Sequence, residues 1–188
     1  MVIWPWRHVI ITAISVRGSV SNRIVHGYES ELAKAFAELA PCSLLAIGPH
    51  AVDAFTGYQT TNPKCHLSHI ATGDWLAQVD ACGQFDLVFL SGVLEHLGKP
   101  QASMLLARLR DMHTKRLYAL VPLGKAWIHH ASHWEQNDLI AYGMELVNIY
   151  AEHGRPMGLF KFDLYTYKAT PEWLNSKYWA HPEMWDKR

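Results

Sequence analysis

With 188 residues, 49% of them apolar, the chain is long enough to bury one substantial core, and no shift in composition marks a second, so residues 1–188 are expected to form a single domain. Seventeen Lys and Arg balance seventeen Asp and Glu, and no basic run supplies a local field, which excludes a dedicated nucleic-acid partner held by charge. Cys42, Cys65 and Cys82 are widely spaced and each lies beside an apolar strand candidate, so they read as buried free thiols in a reducing cytoplasm rather than a disulfide framework.

The amino-terminal run VIITAISV, residues 9–16, follows Arg7 like the core of a signal peptide, but it lacks a small-x-small cleavage site. Arg17 stops it well short of the roughly 20 apolar residues that cross a bilayer, so a strand or helix packed on the domain is expected, with no membrane association. Residues 29–39 place Leu32, Ala33, Phe36 and Leu39 at helical spacing, and Pro41 closes that helix. CSLLAI, residues 42–47, is the first buried strand, ended by Gly48 and Pro49, with a short helix over 51–58. The next strand candidate covers 64–71, followed by Gly73, Asp74, Trp75 and a brief helix.

The sequence FDLVFLSGVLEHL, residues 85–97, is the most informative stretch. Its apolar run is broken only by Asp86, as suits a parallel strand covered on both faces. Ser91 and Gly92 end the strand, and Glu95 and His96 fall just past its carboxyl end, where open α/β sheets bind ligands. A helix over 101–113 and a strand over 117–121 follow. Ser132 is expected to cap a helix containing Trp134, Leu139 and Ile140, ended by Gly143. Strands over 144–150 and 159–167 form a terminal hairpin around Gly154 and Pro156. The tail, residues 169–188, concentrates Trp173, Tyr178, Trp179 and Trp185. It is expected to pack over the sheet, the alternative being a surface for a protein partner.

FDLVFLSGVLEHL resembles the fourth strand and following loop of the class I S-adenosylmethionine-dependent methyltransferases, whose usual wording is close to FDxVxxxxVLxHL. Further segments fall in that family's order over residues 42–168, with 1–41 as an amino-terminal extension and helix. The tail segment WLNSKYWAHPEMWDK is also similar to an uncharacterised family of short bacterial methyltransferase-like proteins, from which no activity carries over. The resemblance implies a three-layer Rossmann-like α/β fold, mostly parallel, with one antiparallel strand in the carboxyl-terminal hairpin. The family fits two strands between its glycine loop and the FDLV strand, and this chain has room for one, so an edge strand is expected to be missing.

The same resemblance implies S-adenosylmethionine as cofactor and a small-molecule methyl acceptor. Gly48, Pro49, Asp74, Trp75, Ser91 and Gly92 would border the cofactor, with Asp74 toward the ribose or adenine and Trp75 stacked on the base. For Asp74 the competing reading is a plain helix cap. His96 is the candidate catalytic residue, a general base if it reaches the acceptor and a structural side chain otherwise. Glu95, His129, His130, His133 and Trp134 are expected at the acceptor pocket, with Trp134 as its floor. His129 and His133 are spaced like helix-borne metal ligands, but no third or fourth ligand stands at a recognised spacing, so no metal is expected. The glycine loop departs from the family's GxGxG: it reads Gly48, Pro49, His50, with one glycine, one amide donor removed and added bulk. That departure sustains a second expectation, a non-catalytic relative whose crevice is filled by Pro49 and His50 and which acts as a binding or scaffold protein.

Overall fold

The computed structural model describes residues 27–152 and 154–166. The expectations for the amino-terminal run and for the aromatic tail lie outside these residues. Six strands form one sheet in the order β2-β1-β3-β4-β6-β5. The strands are β1 (Ser43–Ile47), β2 (His66–Ile70), β3 (Leu87–Ser91), β4 (Arg116–Pro122), β5 (Glu145–Glu152) and β6 (Arg155–Asp163). β1 to β4 run parallel, and β6 is antiparallel to both β4 and β5. β2 stands at one edge, directly beside β1, so the absent edge strand expected from chain length is absent from the described sheet.

Both faces are covered. The helix α1 (Gly27–Leu39) and the short α2 (Thr56–Thr61), preceded by a 3-10 turn at Ala51–Phe55, lie on one side. On the other are α3 (Trp75–Asp80), α4 (Lys99–Arg108) with a π turn at Leu109–His113, and α5 (Gln136–Ala141). The apolar strands divide by strict alternation: Leu44, Ala46, Leu87 and Phe89 pack under the first layer, while Leu45, Ile47, Val88 and Leu90 pack under the second. That two-sided burial is why these strands read as continuous apolar runs.

An aromatic ladder ties the first layer to the sheet. Tyr28, Phe89, Phe55, Phe36 and Tyr58 follow one another at ring separations of 5.8, 6.1, 5.5 and 4.9 Å. At the opposite, amino edge of the sheet, Asp86 secures the start of β1. Its Oδ2 accepts from the amides of Cys42 and Ser43, each at 2.9 Å, and from the Ser43 hydroxyl at 3.0 Å. Partial burial alone would raise its pKa, but these hydrogen bonds and Arg116 together hold it below the usual carboxylate range. Asp86→Ala removes all three and is expected to cost about 1–2 kcal/mol, read as a lower urea midpoint with an unchanged slope.

Local chemistry revises three expectations. Ser132 does not cap α5: the helix begins later, where the Asp138 carboxylate accepts from the Glu135 amide at 2.9 Å and also pairs with Lys99 at 2.7 Å. Trp134 is not a pocket floor, because it is 0% exposed, with its N–H donated to the Ser132 hydroxyl at 3.0 Å and Lys99 Nζ 5.1 Å above its ring. Of the thiols, Cys65 is buried and Cys82 partly so, while Cys42 is exposed at the strand's first edge.

Candidate active site at the carboxyl edge of the sheet

β1 leads into the first helical layer and β3 into the second, so their connections diverge at neighbouring strand ends. A crevice opens where connections part in this way. Gly48 stands at the divergence. Its φ of +116° turns the chain out of the sheet, and its amide donates to Ile70 O at 2.9 Å. Its carbonyl accepts from His69 Nε2, also at 2.9 Å, which requires that nitrogen to carry the ring proton. A Cβ on Gly48 would sit 1.7 Å from Ser91 O and 3.1 Å from Val93 Cγ2. Glycine is therefore needed twice, for the dihedral and for the contact.

The side chains expected around this point fall into place as follows. Gly92, at φ +71°, has Pro49 Cδ 3.5 Å from the position a Cβ would take, so Pro49 packs against the β3 loop. His50 is solvent-exposed, its side chain 61% accessible, with Nδ1 3.9 Å from Asp53. Asp74 caps α3, Oδ1 accepting from the Ala77 amide at 3.2 Å, and its carboxylate is exposed at the end of the β2 loop. Beside it the half-buried Trp75 packs on the core, and its Nε1 is buried without a partner among the described residues. Ser91, half-buried at the strand end, contributes the carbonyl that lies closest to Gly48.

Glu95 lies in the 3-10 turn Leu94–His96, only 6% exposed. Burial pushes its pKa up to about 7, against the opposing pull of the Glu95 and Val93 amides that hydrogen-bond the carboxylate. Its Oε2 has no partner among the described residues. Its backbone carbonyl accepts from the amides of Ala131 and Ser132, at 2.8 and 3.2 Å, and the Ser132 hydroxyl donates to Leu94 O at 2.9 Å. The loop after β3 and the loop after β4 are thus fastened together.

That fastening brings two of the expected histidines side by side. The His96 and His130 rings are 5.8 Å apart, edge to face. Partial burial lowers the pKa of His96. Burial, then repulsion from the neighbouring His96, His133, Arg155 and His129, pushes the pKa of His130 down to about 4. Both imidazoles are neutral near pH 7 and can accept a proton or hydrogen bond. His129 and His133 are exposed on the same loop. No group of three or more His, Cys, Asp or Glu among the described residues is arranged to hold a metal ion.

Two residues here were not among the sequence candidates. Trp127 is 8% exposed, donates Nε1–H to Leu123 O at 3.2 Å, and stacks on His130 at 5.3 Å with 10° between planes. The Arg155 guanidinium lies 5.3 Å from the Trp127 ring. The AWIHH run places Trp127 near the histidines in sequence, but Arg155 reaches it only through the hairpin register.

Among solved structures, WbdD is similar over 76% of this chain and 41% of its own, with 14% identity and a TM-score of 0.57. The N-methyltransferase NodS from Bradyrhizobium japonicum WM9, in complex with S-adenosyl-L-homocysteine, is similar over 71% of this chain and 84% of its own, at 16% identity and a TM-score of 0.52. TehB from Haemophilus influenzae matches over 73% of this chain, which spans 62% of TehB, at 10% identity and a TM-score of 0.50. No curated protein matches the sequence. No helix among the described residues is long and apolar enough to cross a membrane. A family model described as "Family of unknown function (DUF6231)" matches residues 27–188. The chain belongs to that family, and its fold is the divergent Rossmann-like fold of the class I S-adenosylmethionine-dependent methyltransferases.

Proposed function

We propose that the protein binds S-adenosylmethionine over the loops that follow β1, β2 and β3 and transfers its methyl group to a small-molecule acceptor. The observation that carries this reading is the convergence at Gly48: a glycine that tolerates no side chain, pinned to Ile70 and Ser91 where the connections of β1 and β3 diverge. The side chains beside it suit the nucleoside half of the cofactor. Asp74 offers an exposed carboxylate acceptor for ribose hydroxyls, and the half-buried Trp75 next to it an aromatic surface for the base. When bound, the cofactor supplies the sulfonium methyl group, and the protein's contribution is orientation and exclusion of water. In this reading His96 and His130, kept neutral by burial and by each other's proximity, take up the proton of an acceptor hydroxyl or amine.

A second reading is a non-catalytic binding protein, favoured by Pro49, which withholds an amide from the loop and packs on the Gly92 side. Isothermal calorimetry separates the two. The methyl-transfer reading expects S-adenosylmethionine and its demethylated product to bind one to one. It also expects a thermal shift equivalent to about 2.7 kcal/mol at a hundredfold excess over the dissociation constant. No heat and no shift at millimolar ligand would leave the scaffold reading.

A further inference from the structure

We propose that Arg155, Trp127 and His130 form a binding wall for an anionic group, a carboxylate or a phosphate monoester, carried by the acceptor molecule. This rests on the methyl-transfer reading only in assigning the anion to an acceptor; the wall itself stands on its geometry.

Arg155 opens β6 opposite Glu152, beyond the Pro122–Met157 pair that marks the carboxyl end of β4. It therefore projects from the same edge of the sheet as Gly48, Gly92 and His96. Its side chain is exposed, among the described residues it makes no ion pair, and its guanidinium lies over the Trp127 ring. A cation–π contact holds a guanidinium over a ring without consuming its N–H donors, which stay available for two oxygens of a carboxylate or phosphate. The platform beneath is rigid, because Trp127 is buried and its N–H is tied to Leu123 O. His130 extends the platform by parallel stacking, and His96 closes it edge-on.

Arg155 is the permanent positive charge at the wall, Lys125 lies on the loop that carries His130, and the imidazoles of His96, His129 and His133 stand near them. Two carboxylates face the region: Glu152, across the hairpin from Arg155, and Glu95, which is buried against the Val93 amide. In a chain whose charges otherwise balance, this concentration of cationic and donor groups beside the crevice selects an anion. A bound anion would also reverse the repulsion felt by His130 and raise its proton affinity.

The test is a nuclear magnetic resonance titration of the full-length protein with phenyl phosphate, with benzoate and with neutral benzyl alcohol, following the side-chain resonances of His130 and Arg155. At least one anion is expected to shift both resonances and to raise the His130 titration midpoint, while benzyl alcohol does neither. The tighter of the two anions identifies the group. Arg155→Ala, at an exposed position that leaves the core intact, should weaken anion binding at least tenfold, and Arg155→Lys should restore part of it. Equal binding of benzyl alcohol, unchanged anion binding in Arg155→Ala, or no response at His130 to any anion overturns the proposal. The titration needs no cofactor, so it remains decisive even if S-adenosylhomocysteine fails to bind and the methyl-transfer reading falls.

Discussion

Gly48→Ala is expected to destabilise the domain by roughly 2–6 kcal/mol, the sum of a backbone strain of about 1–3 kcal/mol and an overpacking cost of about 1–3 kcal/mol. The φ of +116° lies in a region that side-chain-bearing residues rarely occupy, and the new methyl group would stand 1.7 Å from Ser91 O. That oxygen belongs to β3, a strand paired with both β1 and β4, so it cannot retreat without breaking the sheet. In a domain of this size such a loss lowers the melting temperature by about 10 °C. Gly92→Ala is the control. Its φ of +71° is the milder left-handed region and the nearest atom is at an ordinary 3.5 Å, so about 1–2 kcal/mol is expected. Equal losses in the two variants would contradict the tight junction between the strand ends.

Glu95→Gln is expected to raise stability at alkaline pH while changing it little near pH 4. The folded-state pKa of Glu95 is raised to about 7 by burial, so the native state holds this proton more tightly than the unfolded chain does. Stability is then greatest below the unfolded pKa of about 4.3 and falls as pH rises toward the folded value, because the unfolded state binds fewer protons over that window. Above it the whole penalty is present, up to about 4 kcal/mol at about 1.36 kcal/mol per unit. The amide keeps the acceptor for the Val93 and Glu95 amides and carries no charge to desolvate. Urea denaturation of both proteins from pH 4 to pH 9 measures this directly: the difference should open with rising pH. A difference that stays flat would show Glu95 to be solvated or paired.

The sheet was legible because its strands are buried on both faces. Leu44 to Ile47 and Leu87 to Leu90 leave no polar position on either side, and the span between Gly48 and Phe85 is too short for two strands with their helices. The turn at Gly48 and the place of the histidine-rich loop after β4 were legible from residue type and order. What could not be read was competition among local hydrogen bonds. Ser132 has the chemistry of a helix cap, yet Leu94 O and the Trp134 indole engage its hydroxyl, and Asp138 secures the helix start instead. The neighbour of His50 was equally hidden: the 3-10 turn that follows sets its exposed side chain beside Asp53. Arg155 was beyond reach for another reason. Its place over Trp127 depends on the pairing of Met157 with Pro122, and hairpin register is set by the turn, which composition does not specify.

The most direct measurement is a crystal structure of the protein grown with saturating S-adenosylhomocysteine. The account predicts the adenosine beside Asp74 and Trp75, and the amino-acid end over the Gly48–Gly92 junction, with His96 and His130 facing the sulfur side. A ligand bound elsewhere, or a crevice that stays closed at saturation, would contradict it.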